Sequence, residues 1–170
     1  MPSYSAPEPL ASRHDLGPFR CGKDPLDDFL KSHALGRQNA KLSRTYVVTL
    51  GDLAVVAYYT LAHVAIVREE APKKIGRGMP AAIPAILLAR LAIDERHQGR
   101  GLGRSLFVDA VARTWAVMKD GPAPVRFFVV DAMDEEAKAF YQRFDMIPSP
   151  ANPMRLFLHY KSLRALFGEG

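Results

Sequence analysis

The stretch RLAIDERHQGRGLGRSLF, residues 90–107, constrains the fold of this chain most strongly, because an apolar strand runs through a glycine- and arginine-rich loop straight into a helical pattern. Glycine lets the backbone approach a ligand without a Cβ in the way, and the first turn of a helix presents N–H groups and partial positive charge to an anion. The residues concerned are Arg96, Gly99, Arg100, Gly101, Gly103 and Arg104. The stretch therefore predicts a strand–loop–helix unit that binds a phosphorylated ligand.

Two common phosphate motifs do not fit this loop. The P-loop string G-x-x-x-x-G-K-[ST] does not occur in the sequence. The dinucleotide fingerprint G-x-G-x-x-G fails because Gly103 comes one residue early and Arg104 stands at the last glycine position. Asp120 lies about where the ribose-binding acid would fall, but that fingerprint normally opens a series of βαβ units, whereas this loop follows a hairpin. A nicotinamide enzyme is therefore disfavoured.

Hydrophobic periodicity and turn residues predict a mixed α/β chain with an antiparallel front half. Asp24 is the expected N-cap of the first helix, and Arg90 interrupts an otherwise apolar strand and needs a partner or an exit to solvent. The predicted elements are a helix over 24–40, hairpin strands over 44–50 and 54–67, a basic surface loop over 68–83, a strand over 83–94 buried on both faces, a helix over 102–118, a strand over 125–132, a helix over 134–144, a loop over 148–153, a strand over 155–160 and a basic helical turn over 161–167.

Length and composition set the broad class. At 170 residues the chain is expected to form a single domain over 1–170. It has no apolar run near the ~20 residues that cross a bilayer, and MPSYSAPEPL does not resemble a signal peptide, so a cytosolic protein without membrane association is expected. The net charge of +5 suits an acidic partner, although an ordinary surface explains it as well.

The cysteine and histidine residues argue against a cysteine nucleophile and against a metal site. The single cysteine, Cys21, has no motif around it. We interpret it as a packed or unused thiol rather than a nucleophile. The histidines lack the paired spacing of zinc sites, so no metal is expected.

A third phosphate motif does match. The run Arg96-His97-Gln98-Gly99-Arg100-Gly101 resembles the [QR]-x-x-G-x-[GA] loop of the GNAT-fold N-acetyltransferases. The segments FRCGKDPLDDFL, SRTYVV, AYYTLA, IPAILLARLAID, QGRGLG, VDAMDEEAKAFYQRF and PMRLFL extend the resemblance over almost the whole chain. Their order is similar to that in toxins that acetylate the amino group of aminoacyl-tRNA and are paired with a ribbon-helix-helix antitoxin.

The resemblance implies a twisted mixed sheet in which two neighbouring parallel strands, here 85–93 and 125–132, splay apart around the pantetheine arm of acetyl-CoA. The backbone of Leu91 and Ile93 would bind the pantetheine, and the amides from Gln98 to Arg104 would surround the pyrophosphate. The implied cofactor-binding residues are Leu91, Ile93, Arg96, Gln98, Gly99, Arg100, Gly101, Leu102, Gly103, Arg104 and Phe140.

Tyr141 is the predicted catalytic residue. Family members carry a tyrosine in F-Y-x-x-F, and residues 140–144 match that pattern. A phenol with a pKa near ~10 stays protonated at neutral pH and can donate to the departing thiolate. Backbone N–H groups near Ile93 are expected to polarise the thioester carbonyl. The alternative is that Tyr141 only packs, as many helix tyrosines do.

No side chain stands out as a general base. His63, Asp94, Asp131, Asp134 and Glu135 are conceivable, but each is better explained as structural. An α-amine has a pKa near ~8 against ~10.4 for lysine, so it can react without a dedicated base. The missing base thus favours an aminoacyl ester as acceptor.

The chain departs from the family pattern after residue 144. Similar proteins have glycine and an aromatic residue there, whereas this sequence has Asp145 and Met146. Aspartate tolerates the left-handed conformation better than most residues, so the turn is expected to survive. The added negative charge is expected to affect activity more than fold.

The first hypothesis is an acetyl-CoA-dependent toxin that acetylates aminoacyl-tRNA and blocks translation. The alternatives are a GNAT enzyme for protein or small-molecule amines, and a non-catalytic acetyl-CoA- or RNA-binding module. The resemblance also implies a homodimer and an antitoxin partner. The amino acid and tRNA recognised do not follow from the sequence. The basic residues expected to flank the tRNA are Arg44, Lys73, Lys74, Arg77 and Arg90.

Overall fold

A computed structural model of the chain describes residues 3–168. In chain order the elements are β1 (Glu8–Pro9), α1 (Asp24–Ser32), α2 (Ala34–Asn39), β2 (Arg44–Leu50), β3 (Ala54–Val67), α3 (Lys73–Gly76), β4 (Ala82–Ile93), α4 (Leu102–Asp120), β5 (Phe127–Asp131), α5 (Glu135–Gln142), β6 (Ile147–Pro148), β7 (Arg155–His159) and α6 (Tyr160–Phe167). Short 3₁₀ turns cover Arg68–Glu70 and Glu95–His97. None of the helices in the described part of the chain is long and apolar enough to span a membrane.

The strands form a mixed sheet in the order β1-β2-β3-β4-β5-β7-β6. The predicted hairpin of β2 and β3 is confirmed as an antiparallel pair with a register irregularity between Val48 and Thr49. The parallel pair is β4 with β5, and β7 runs antiparallel to both β5 and β6. The predicted mixed α/β class with an antiparallel front half is therefore confirmed.

The chain divides into two compact units, and β3, β4 and α4 each contribute to both. The first unit contains the residues up to Ala62 together with Ala89–Ala110. Its core includes Phe19, Phe29, Leu30 and Tyr58. A buried hydrogen bond of 2.8 Å also joins the hydroxyls of Thr45 and Thr60 in this unit.

The second unit contains His63–Leu88 together with the residues from Val111 on. Its core packs apolar side chains of β4, β5 and β7 against the end of β3. The members are Ile66, Ala71, Ile83, Ala85, Phe127, Val129 and Phe157. Ala71 belongs to this core, so the prediction of 68–83 as a plain surface loop was wrong there, since the segment folds into a 3₁₀ turn and α3 and buries part of its backbone.

The prediction of a single helix over 24–40 was also wrong. The structure has two helices, because His33 leaves the helical conformation with φ −127° and ψ −31°. After the break, the Gln38 amide donates to the Leu10 carbonyl at 2.8 Å and accepts from the Thr45 N–H at 3.0 Å. Tertiary contacts of this kind override the continuous apolar pattern. Asp24 is the first helical residue rather than the N-cap, which is Lys23.

Candidate functional site

The predicted phosphate loop lies between β4 and α4, as expected. Gly99 and Gly101 have φ values of +76° and +81°, and a Cβ added at either would meet no atom within 4 Å. Both positions therefore require glycine for their left-handed backbone conformation, and the space above them is open to a ligand. The Ser105 N–H donates to the Gly101 carbonyl at 3.1 Å, and the amides just before it belong to the turn that a helix leaves without intrahelical acceptors. This arrangement suits an anion with several oxygens.

Asp94 organises the base of the loop. Its side chain is fully buried and accepts hydrogen bonds from the Arg20 N–H at 3.0 Å and from the Arg96 N–H at 3.0 Å. Burial raises the pKa of the Asp94 carboxyl, but hydrogen bonds from Arg96 and from the backbone outweigh it and hold the pKa below its usual value. Asp94 is thus a structural carboxylate, as the sequence indicated.

The Arg96 side chain turns back to Asp94. Its guanidinium donates to Asp94 through Nε at 2.9 Å and Nη2 at 3.1 Å, and Nη2 also reaches the Pro18 carbonyl at 3.3 Å. The neighbouring Glu95 N–H donates to the Arg20 carbonyl at 2.8 Å. Arg96 therefore joins the loop to an N-terminal segment.

Gln98 makes the second attachment to that segment. Its amide nitrogen donates to the carbonyls of Cys21 and Ile93, each at 3.0 Å. Cys21 is buried, and burial is the main reason that the pKa of its thiol is raised to about 11. A thiol that stays protonated at neutral pH is a poor nucleophile, in agreement with the packed-thiol interpretation.

Tyr4 contacts the loop from the N-terminal side, which the sequence did not signal. Its hydroxyl lies 2.8 Å from Nδ1 of His97, and the two rings meet edge to face. Arg100 donates to the same hydroxyl at 3.3 Å. Arg100 and Arg104 remain exposed at the surface of the loop.

Leu91 and Ile93 lie in the last part of β4. The parallel register between β4 and β5 runs from Ala85 to Leu88, while β4 continues to Ile93. Both residues are half-buried. Their backbone thus lies beyond that ladder, and the Ile93 carbonyl accepts from the Gln98 side chain.

Tyr141 lies in α5, whose N-terminus is capped by the Asp134 side chain accepting from the Ala137 N–H at 2.8 Å. Tyr141 is 6% exposed, and burial raises the pKa of its phenol. It therefore stays protonated over the physiological range, as a proton donor must. The Phe140 ring packs edge-on against Tyr141, at 5.3 Å between centroids.

The turn after α5 has the predicted left-handed residue. Asp145 adopts φ +63°, and its N–H donates to the Gln142 carbonyl at 3.1 Å. Met146 is buried. The replacement of glycine by aspartate thus leaves this turn intact.

Two of the other conceivable bases have structural roles. Asp131 accepts from Arg155 at 2.7 and 2.8 Å, and Asp134 is the helix cap. His63 and Glu135 are exposed.

The predicted tRNA-contacting residues fall into two groups. Lys73, Lys74 and Arg77 are exposed together on and after α3 in the second unit. Arg44 and Arg90 belong to the first unit, where Arg44 is exposed and lies 5.8 Å from the centroid of a tyrosine ring. Arg90 is half-buried 3.8 Å from the centroid of the Phe29 ring, and burial lowers the pKa of its guanidinium. The partner that Arg90 needed is therefore an aromatic face.

No family model matches the chain, but related proteins do. It is 40% identical to a tRNA-acetylating toxin from Mycobacterium tuberculosis over 99% of this chain and 100% of that protein. It is 32% identical to the probable toxin TacT from Sinorhizobium fredii over 95% of this chain and 94% of that protein.

Solved structures agree with these relatives. A tyrosine-to-phenylalanine mutant of KacT is similar with a TM-score of 0.89 and 31% identity, covering 96% of this chain and 99% of that one. AtaT in complex with acetyl-methionyl-tRNA is similar with a TM-score of 0.86 and 31% identity, covering 97% of this chain and 99% of that one. The fold is that of a GNAT N-acetyltransferase. Within that class, the chain belongs to the family of tRNA-acetylating toxins.

Proposed function

We propose that this protein transfers the acetyl group of acetyl-CoA to the α-amino group of aminoacyl-tRNA and so blocks translation. The observation that carries the proposal is the loop at the start of α4, where Gly99 and Gly101 leave open space above left-handed backbone. Among the similar structures, AtaTR is bound with acetyl-CoA and AtaT with acetyl-methionyl-tRNA. These complexes support the same cosubstrate and substrate class here.

The proposed cofactor site uses backbone more than side chains. The amides from Gln98 to Arg104 surround the pyrophosphate, and the backbone of Leu91 and Ile93 pairs with the pantetheine. Phe140 and Leu102 pack beside the cofactor, and Arg100 adds charge. Acetyl-CoA supplies the activated thioester when it binds. Because Arg96 is held by Asp94, its contribution to this site is to shape the loop.

The proposed chemistry joins the acceptor nitrogen to the acetyl carbon and breaks the carbon–sulfur bond. A neutral α-amine, with a pKa near ~8, attacks without a dedicated base and loses its proton to water. Backbone N–H groups near Ile93 stabilise the oxyanion. Tyr141 donates a proton to the leaving thiolate, and burial keeps the phenol protonated for that step.

We further propose that the whole chain, residues 1–170, works as one acetyltransferase domain in the cytoplasm and needs no metal. The relatives support this extent, because one of them matches 99% of this chain and 100% of its own length. The proposed partners are charged tRNA, a ribbon-helix-helix antitoxin and a second copy of the chain. AtaT bound to the C-terminus of the antitoxin AtaR supports an antitoxin partner.

The decisive experiment is acetyl transfer from radiolabelled acetyl-CoA to total charged tRNA, with deacylated tRNA as control. We expect label in the charged RNA alone, and mass spectrometry of the acetylated aminoacyl groups then identifies the amino acid. Label in protein N-termini, lysines or small amines would instead identify a general GNAT enzyme. Acetyl-CoA binding with no transfer to any amine would identify a non-catalytic module.

A further inference from the structure

A cavity of about 430 Å³ opens beside α3 in the second unit. This volume lies within the range of about 300–1,000 Å³ that is usual for small-ligand sites. The lining residues are Arg68, Glu69, Ala71, Lys73, Gly76, Arg77, Gly78 and Pro150. None of them belongs to the loop assigned to the cofactor pyrophosphate, so the cavity is a separate feature.

The charge of the cavity is mainly positive. Three of its lining residues are cationic and one is anionic. Arg68 pairs with Glu69 at 3.3 Å, whereas no carboxylate within residues 3–168 lies at ion-pair distance from Lys73 or Arg77. Other basic side chains, such as Arg96 and Arg155, are already neutralised by aspartate. Lys73 and Arg77 therefore have charge available for an anionic ligand.

The remaining wall is apolar or backbone. Gly78 and Pro150 offer exposed uncharged surface, and Ala71 and Gly76 are buried beneath. The Arg68 guanidinium is held in place by the Met79 carbonyl at 3.0 Å. Apolar surfaces and fixed guanidinium planes accept a nucleobase by stacking, while lysine and arginine bind the attached phosphate. A mixed surface of this kind suits an unpaired nucleotide better than a double helix, because the base faces inside a helix are stacked on one another and cannot lie against such a wall.

The cavity wall is fixed rather than loosely attached. Arg155 donates to Glu70 at 3.2 Å and to Asp131 at 2.7 Å, and so ties the segment after β3 to the end of β5. The Arg68 N–H also donates to the Ala81 carbonyl at 3.0 Å. A preformed wall loses little entropy when a ligand binds.

We propose that this cavity binds one unpaired nucleotide of the single-stranded 3′ end of tRNA, with the base against Arg68 and Pro150 and the phosphate on Lys73 and Arg77. The proposal rests on the function proposed above and adds a specific subsite to it. It also gives the basic residues around α3 a defined ligand in place of a diffuse attraction to RNA.

Photocrosslinking tests the proposal directly. A photoreactive base is placed in turn at each unpaired 3′ nucleotide of uncharged tRNA, and the crosslinked peptides are identified by mass spectrometry. We expect one position to crosslink within residues 68–78 or at Pro150. Crosslinks that map only elsewhere on the chain would overturn the proposal. Since uncharged tRNA undergoes no acetyl transfer, this result is independent of whether the enzyme acetylates tRNA.

A matched pair of variants gives a second test. Pro150→Asp places a carboxylate in the cavity, and Pro122→Asp places one at an exposed proline that does not line it. We expect Pro150→Asp to raise the KM for charged tRNA by about ten-fold through repulsion of the phosphate, and to leave the KM for acetyl-CoA unchanged. Equal effects of the two variants would contradict a nucleotide in the cavity. Absence of acetyl transfer by the wild-type chain would refute the proposed function instead.

Discussion

The guanidinium of Arg90 lies 3.8 Å from the centroid of the Phe29 ring. A cation stacked on an aromatic face and partly desolvated gains about 0.5–2 kcal/mol. The contact explains how a strand of apolar residues accommodates an arginine. It also directs Arg90 toward α1, so we expect this residue to stabilise the first unit.

A double-mutant cycle measures that contact. We expect Phe29→Leu and Arg90→Met, combined, to destabilise the protein by less than the sum of the single changes, with a coupling of about 0.5–2 kcal/mol in denaturant unfolding. Arg164→Met, at an exposed arginine of α6, serves as the control for loss of charge. Additive effects of Phe29→Leu and Arg90→Met would show that the stacked geometry contributes nothing.

Asp94 predicts how stability responds to acid. Its folded-state pKa lies below its usual value, so its contribution is complete at pH values above the ordinary value of about 3.9 and is lost as the pH falls through the folded pKa. We expect Asp94→Asn to cost about 1–3 kcal/mol at neutral pH, because the charged acceptor of the buried hydrogen bonds is gone. Below about pH 4, the free energy of unfolding should fall less steeply for Asp94→Asn than for the wild type, because the variant has no carboxylate at this position to protonate.

The measurement is denaturant unfolding of both proteins across this range, with Asp52→Asn in an exposed turn as the control. Parallel pH profiles for the wild type and Asp94→Asn would rule out a stabilising ionised Asp94.

Tyr141→Phe tests the proposed proton donor. The change removes one hydroxyl and keeps the ring, so we expect turnover to fall by ~10² or more while acetyl-CoA affinity stays the same. Tyr160→Phe makes the same change at a half-buried tyrosine of α6 and should leave turnover unaltered. Near-normal turnover of Tyr141→Phe, measured with charged tRNA, would remove this residue from the mechanism.

Asp145 holds a left-handed conformation that glycine adopts without steric cost. We expect Asp145→Gly to raise the free energy of unfolding by up to about 1 kcal/mol, because the Cβ contact with the backbone is relieved. Asp145→Asn keeps the local conformational tolerance and removes only the charge, so it should leave stability within about 0.5 kcal/mol of the wild type. A loss of stability in the glycine variant, measured by thermal unfolding, would show that the carboxylate makes a contact worth more than the strain.

The sequence predicted those parts of the fold that depend on local patterns. The apolar runs of β2 and β3 with the turn between them, the buried centre of β4 and the glycine loop before α4 all have short-range signals. The left-handed turn at Asp145 followed from the tolerance of aspartate for that region. Each of these features is decided by residues a few positions apart.

The features that the sequence did not reveal depend on distant contacts. The hydrogen bond from Arg96 to the Pro18 carbonyl has no local signal, because the two residues are 78 positions apart in the sequence. The break at His33 similarly depends on the packing of α2 beside β2. The apolar pattern of a helix does not predict such a contact. The cavity beside α3 needs Pro150 to be brought next to a segment that precedes β4.

The attachment of the N-terminal segment to the phosphate loop has a consequence for folding. Tyr4 and His97 are 93 residues apart in the sequence, and Arg20 and Asp94 are 74 apart. Contacts across such separations form slowly, because a long loop must close before they stabilise anything. We therefore expect the loop, and with it the affinity for acetyl-CoA proposed above, to form in one of the last folding steps. A chain still being synthesised, even with its first hairpin formed, would lack that affinity until the segment and the loop had met.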